Sequence, residues 1–402
     1  MVIAIVGGGA AGCFAAIRAK EEHTGAKVVI LEKTSNPLAK VKISGGGRCN
    51  VTNGAAFHRQ LLAAYPRGSK WLKKSFKVFD NHAAMRWFES RGVPLKTEPD
   101  GRVFPVSDRS SDIVQCLLTE VERLGIPLKL NTRVNTIKYT DGAWQLISGA
   151  NGEVLSADKV IVATGGSPRR EGLDWLEQLG HRIVEPVPSL FSFNLAPQEL
   201  LDLPGLSVPQ AIVRIEGTRW THSGPLLITH WGLSGPAVLV LSSFAARDLY
   251  DRDYRFNLRV NWTGIRNFEE LREHFIAMVQ EAPKKHLVAV KPFHIPTRLW
   301  QYLLKRADLS VEKPWAELGK KGMNKLIDTL SHDLYQVLGK TTFKEEFVTC
   351  GGIDLRDVSP VTMQSKVCPG LFFAGEILDI DGITGGFNFQ AAWTTGYIAG
   401  TN

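Results

Sequence analysis

Cysteine is scarce in this chain of 402 residues. There are five, Cys13, Cys49, Cys116, Cys350 and Cys368, with no C-x-x-C pair and no zinc-like spacing. An odd, scattered set excludes a disulfide framework and points to a reducing compartment with no structural metal site. No uninterrupted apolar stretch reaches the ~20 residues that a membrane-spanning helix needs, so no membrane partner is expected. The first apolar run begins at residue 2, which leaves no room for a leader peptide, and the expected location is cytoplasmic. Internal repeats, low-complexity tracts and obvious flexible linkers are absent as well. Acid is missing from one long stretch. From Lys33 to Phe79 there are ten Lys/Arg and no Asp or Glu, which exceeds the net charge of +8 carried by the whole chain.

What is present starts at the N-terminus. Met1–Val6 is the short apolar run of a buried parallel strand, and it leads into Gly7-Gly-Gly-Ala-Ala-Gly12, a G-x-G-x-x-G. Ala10–Lys20 favours helix, and Lys27–Leu31 is a second buried strand that ends in Glu32. In this arrangement Gly7 makes the turn, Gly9 admits a pyrophosphate, and Gly12 lets helix and strand approach. The helix start at Ala10 and Ala11 offers free N–H groups to phosphates. Glu32 is placed to accept hydrogen bonds from an adenosine ribose, which favours FAD or NAD without a ribose phosphate.

Lys40–Asn53 contains Ser44-Gly-Gly-Gly-Arg-Cys-Asn50 and is expected to be a loop that lines the cofactor through Ser44, Gly45, Gly46 and Asn50. Helices are expected within His58–Ser90, a hairpin at Pro94–Pro105, and a helix at Ser110–Leu124 capped by Ser110 or Ser111. Alternating strands follow, with Asp141-Gly142 as a hairpin turn. Lys159–Gly166 is another buried strand closing on glycines. From Ser189 to about Lys340 the pattern changes to a small β module with a helical piece inside it, and Gly232–Ala237 is expected to open a helix. Phe347–Ile353 and Gly370–Glu376 return to the first fold. Gly382-Ile-Thr-Gly-Gly-Phe-Asn388 then precedes the last helix. Gly375, Glu376, Asp381, Gly385, Gly386, Phe387 and Asn388 suit a flavin, whose ring gathers negative charge on reduction near a helix start. Lys33, Lys40, Val134, Thr164 and Gly165 complete the expected cofactor contacts.

Taken together, Gly7–Gly12 with Glu32, the Ser44–Asn50 loop, Thr349-Cys-Gly-Gly-Ile353 and Ala374–Gln390 resemble the YhiN/BaiN family of three-domain bacterial FAD-dependent oxidoreductases over essentially the whole chain. The resemblance implies an α/β fold: a split Rossmann-like FAD-binding domain with an inserted β-barrel-like domain that itself carries a small helical domain. The boundaries expected are 1–188 and 346–402 for the FAD domain, 189–260 and 326–345 for the β domain, and 261–325 for the helices. Family members are associated with reducing a uridine of large-subunit ribosomal RNA, with bile-acid intermediates and with small amino-ketones.

Only one dinucleotide fingerprint is present, so NAD(P)H, if it is the electron donor, is expected to dock transiently. The favoured reaction is hydride transfer from flavin N5 to an activated C=C bond. Cys49, beside Arg48, is the candidate general acid, with Cys350 a second. The basic stretches supply RNA-binding candidates: Arg59, Arg67, Lys70, Lys73, Lys74 and Lys77 in the first, Lys284, Lys285, Lys320 and Lys321 in a second. The substrate expected is ribosomal RNA. The rivals are a small molecule and a non-catalytic role in RNA binding, and the oligomeric state is left open.

Overall fold

The computed structural model describes residues 1–149, 152–341 and 348–402. The expected boundary at 345–346 and the strand start at Phe347 lie outside the described residues. The chain divides into two compact units, Met1–Ser189 with Lys344–Asn402, and Leu190–Phe343.

The first unit is built on a five-stranded parallel sheet. Its order is Leu371–Phe373, Lys159–Val162, Val2–Val6, Lys27–Leu31 and Leu128–Lys129. Continuous Val/Ile/Leu runs are what a sheet covered on both faces requires. Ile3, Ile5, Ile30 and Ile161 pack with helices Ala10–Glu22 and Phe387–Thr401. Ala4, Val6, Leu31 and Val162 face the other way, towards Ile137, Trp144 and Leu146 of a three-stranded antiparallel sheet. The first and last helices touch backbone to backbone. A β-carbon at Gly396 would lie 2.6 Å from the Ala11 oxygen, and one at Gly400 would lie 2.4 Å from the Ala15 oxygen. Residues from the two ends of the chain are thereby fused into one layer.

The second unit is a closed six-stranded antiparallel barrel. Phe193, Val213, Leu226, Leu258 and Val337 belong to its core. Helices Phe268–Glu281, Thr297–Arg306 and Gly319–Ser331 interrupt the barrel between strands Phe256–Asn261 and Asp333–Thr341. They add Trp300, Leu303 and Leu326 to the same core, and the short turn Trp315–Glu317 between the last two adds Trp315. The fold is therefore α/β, a Rossmann-type sheet plus an inserted barrel. No helix among the described residues is long and apolar enough to cross a membrane.

Three local expectations are corrected. The Lys40–Asn53 segment is not all loop: a helix starts at Ala39, and its helical geometry breaks only at Ser44, Gly45 and Gly46. Gly232–Ser234 is a barrel strand rather than a helix start, with the helix beginning at Pro236. A β-carbon at Gly232 would sit 2.0 Å from the Phe193 oxygen, so this glycine serves strand pairing. Ser110 does not cap its helix, because its hydroxyl donates instead to the Lys42 carbonyl at 2.5 Å.

The helix contact predicts a sharp contrast between glycines. Gly400→Ala should lower stability by ~1–3 kcal/mol, the usual cost of overpacking, seen as a drop in melting temperature. Gly25→Ala, where an added β-carbon meets nothing within 4 Å, should leave it unchanged. Equal behaviour of the two variants would refute the close helix packing.

Candidate FAD site

In a parallel sheet, ligands bind outside the carboxyl ends of the strands. Here those ends are Gly7–Gly9, Glu32, Thr164–Gly166 and Gly375–Glu376. Gly7 has φ +112°, and a β-carbon on it would lie 2.5 Å from the Ala163 oxygen, while one on Gly12 would lie 1.9 Å from the Gly7 oxygen. Neither position accepts a side chain. Around Gly9 the space is open, with nothing within 4 Å. The first rung of the following helix is Cys13 N–H to Gly9 O at 2.9 Å, so the N–H groups of Ala10, Ala11 and Gly12 lie outside the helical ladder. Glu32 is buried and accepts from Gly8 N–H at 2.7 Å and from the Thr34 N–H and hydroxyl, each at 2.8 Å. A carboxylate has about four acceptor sites, so one remains for a ribose hydroxyl. Thr132 N–H donates to the Glu32 carbonyl at 2.8 Å, which places Val134 two residues beyond this edge.

The C-terminal turn is held from several sides. The Asn388 side chain spans it, accepting from Gly382 N–H at 2.8 Å and donating to Gly382 O at 2.9 Å. Asn53 donates to Gly385 O at 3.3 Å. The Asn50 amide, oriented by its hydrogen-bond partners, accepts from Gly386 N–H at 3.0 Å and donates to Thr52 O at 3.0 Å. Gly386, at φ +88°, has the Thr52 carbonyl where a side chain would begin. The last helix then starts at Phe387, with its first rung from Gln390 N–H to Gly386 O at 2.9 Å. Gly375 lies against the first helix, since a β-carbon there would meet Ala11 at 2.8 Å, and Gly375 N–H donates to the Thr395 hydroxyl at 2.8 Å. The glycine loop, the first helix start and the last helix start therefore belong to one assembly.

An open glycine, two helix starts with unsatisfied N–H groups and a partly free carboxylate are the groups that FAD requires. Lys40 reaches the same crevice and pairs with Glu376 at 2.8 Å, while the other Glu376 oxygen accepts from Thr349 N–H at 2.9 Å. Lys33, Thr164 and Gly46 are exposed, as is Gly45 at φ +58°. The Ser44 hydroxyl is turned back onto the Val41 carbonyl at 2.9 Å.

Several expected roles are not those the structure gives. Cys49 is fully enclosed, in a core that includes Val41 and Val51, and burial pushes its thiol up to about 12. It cannot touch substrate in this position. Cys350 is equally buried. Arg48 does not activate Cys49: its guanidinium lies over the Phe104 ring and pairs with Glu98 at 2.5 Å and Asp108 at 2.7 Å. Asp381 is not a cofactor ligand but a wholly buried anion, held by Arg67 Nε at 2.5 Å, by the Arg67 terminal nitrogen and by the Ser189 hydroxyl at 2.8 Å. Arg67 is consequently no free RNA-binding cation. Asn50 and Asn388 spend their side chains on the turn rather than on a ligand.

Sequence reasoning passed over Tyr65 and the Arg67–Asp381 pair. Tyr65 donates its hydroxyl to the Phe387 carbonyl at 2.6 Å, and Ile383 N–H donates to the Ala64 carbonyl at 2.9 Å. Burial raises the Asp381 carboxyl above its ordinary range, and Arg67 and Ser189 pull against that shift. Arg67→Met should therefore cost ~3–5 kcal/mol by leaving a buried charge unpaired. With its folded-state pKa raised further, Asp381 would favour folding only while protonated. The melting-temperature deficit of the variant should then shrink from about pH 8 to about pH 5. Arg67→Met/Asp381→Leu, which removes both charges, should recover much of the loss. A deficit that does not change with pH would refute this account.

Comparison with known proteins agrees with this geometry. The family model described as the HI0933-like protein Rossmann domain matches residues 1–402. The chain is 30% identical to a ribosomal RNA dihydrouridine synthase of Escherichia coli (strain K12), over 98% of this chain and 95% of the relative. It is 28% identical to a 3-dehydro-bile acid delta(4,6)-reductase of Clostridium scindens, over 99% and 98%. Among solved structures, the 3-ketosteroid delta1-dehydrogenase of Sterolibacterium denitrificans shares the fold, with a TM-score of 0.51 at 13% identity, over 99% of this chain and 98% of that one. The chain belongs to the HI0933-like family and is an FAD-dependent oxidoreductase.

Proposed function

We propose that this protein reduces an activated C=C bond, and that its substrate is a uridine of large-subunit ribosomal RNA. The observation that carries this reading is the anchoring of the acid-free basic segment. Ala64, Tyr65 and Arg67 bond directly to Ile383, Phe387 and Asp381 of the C-terminal turn. Two residues beyond Arg67 begins helix Ser69–Ser75, from which Lys70, Lys73 and Lys74 project into solvent, with Lys77 just after it and Arg59 on the preceding helix. None of the five is in an ion pair among the described residues. Such cations suit phosphates, and binding through them should fall steeply with salt. Lys284, Lys285, Lys320 and Lys321 are exposed on the second unit and are assigned the same role.

For the cofactor, Gly9, Ala10 and Ala11 would take the pyrophosphate, and Glu32 with the neighbourhood of Val134 the adenosine. Lys40, Glu376 and the Gly385–Phe387 start of the last helix would take the flavin half. When bound, FAD would supply the hydride, with NAD(P)H as its proposed electron donor. The protein's part is to orient the acceptor and to keep the helix start of Phe387–Thr401 directed at developing negative charge. In uracil the C5–C6 bond is conjugated with a carbonyl, so C6 accepts hydride and C5 a proton. The buried Cys49 is not the source of that proton. A second reading, reduction of a small conjugated ketone, is favoured by the likeness to the bile-acid reductase.

The test is to delete the gene in its host and measure dihydrouridine in large-subunit ribosomal RNA by mass spectrometry. One dihydrouridine should disappear, and both the wild type and Cys49→Ala should restore it. Restoration by the wild type alone would return Cys49 to the reaction. An unchanged level would refute the RNA substrate and move the search to small enones, scored by reoxidation of the reduced flavin.

A further inference from the structure

Among the described residues, Phe57 is the large apolar side chain most open to solvent, at 69%. Its backbone is well fixed. It is extended at φ −128°, its carbonyl accepts from Gln60 and Leu61 N–H at 2.9 and 3.2 Å, and its own N–H reaches the Gln60 side chain at 3.4 Å. A rigid main chain thus holds out a ring that contributes little to any core. Single exposed apolar residues are common on protein surfaces, so the surroundings decide what this one does.

Those surroundings are basic. His58, next in the chain, bonds Asp80 at 3.0 Å and sets its ring 6.4 Å from that of Phe76. This brings the Phe57 end of helix His58–Ala63 to the Phe76–Asp80 stretch, which carries Lys77 and the half-exposed Val78. Lys70, Lys73, Lys74 and Lys77 are spaced as i, i+3, i+4 and i+7. Lys70, Lys73 and Lys74 share one face of helix Ser69–Ser75, and Lys77 follows in the hydrogen-bonded turn that continues it, its N–H donating to Lys74 O at 3.3 Å. Arg59 lies two residues from Phe57. Apart from Asp80, held by His58 and by Ala83 N–H at 2.8 Å, no acid interrupts the segment.

We propose that Phe57 is a stacking platform for an unpaired nucleobase of a single-stranded RNA whose phosphates lie along Lys70, Lys73, Lys74 and Lys77. The inference rests on the RNA reading above. A track of cations beside an aromatic ring is the arrangement by which proteins hold single strands: the cations take the backbone, and the ring takes a base face. The same segment is bonded to the C-terminal turn through Tyr65 and Arg67, so the stacked base is a neighbour of the reacting uridine rather than that uridine itself. Phe57 is in this sense a positioning residue, which sets the register of the strand.

The experiment uses the FAD-loaded protein and a fluorescein-labelled, uridine-containing short RNA, read by anisotropy across a salt series, with the matching duplex alongside. Phe57→Ala should weaken single-strand binding roughly 5- to 150-fold, the range of one base–aromatic stack. The salt slope, the duplex affinity, the melting temperature and the flavin content should not change. Phe57→Trp should restore binding. Lys73→Ala/Lys74→Ala should instead flatten the single-strand slope by about 1.4, two contacts' worth. Single-strand affinity equal to wild type in Phe57→Ala, an equal loss for the duplex, or no rescue by tryptophan would each overturn the proposal. Failure of the wild type to bind either RNA would instead overturn the RNA reading on which it rests.

Discussion

The site depends on the direct contact between the first and last helices. Gly396 and Gly400 have no side chains, so the backbone of Phe387–Thr401 rests on the carbonyls of Ala11 and Ala15. That contact joins residues from the two ends of the chain and places two helix starts in the same unit as the carboxyl ends of the parallel strands. Each start carries N–H groups outside its own ladder and the positive end of a helix dipole. Neither end of the chain could build such a crevice alone.

Around this contact the turn that precedes the last helix is tied down by polar side chains. Asn50, Asn53, Asn388 and Tyr65 all bond to its backbone, and Arg67 neutralises the buried Asp381 beside it. These groups are expensive to bury unless fully paired. Their pairing gives the turn a single geometry and leaves the Phe387 helix start pointing in a fixed direction. Preorganisation of this kind matters where charge develops during a reaction, because a fixed dipole has no reorganisation to undergo.

The basic residues separate into two classes that a charge count cannot distinguish. Arg48, Arg67 and Lys40 are engaged with carboxylates of the fold, whereas Arg59, Lys70, Lys73, Lys74 and Lys77 extend into water. The first class holds the cofactor unit together. The second sets the field that an approaching anion meets.

The sequence by itself determined much of the Rossmann half. Apolar runs of five residues ending in glycine or Glu32, and a glycine pattern at 7, 9 and 12, have few other physical solutions, because steric limits on φ and on backbone approach act within a few residues of each glycine. Only the tertiary structure decided what the polar residues do. Cys49 and Arg48 are adjacent in the chain, yet one lies within the core and the other covers the buried Phe104 ring and pairs with two acids. Asp381 and Arg67 are 314 positions apart and form one buried pair. Gly232 looked like a helix start and proved to be a strand residue, because the deciding contact comes from Phe193. Burial and pairing are properties of distant neighbours, and no local pattern contains them.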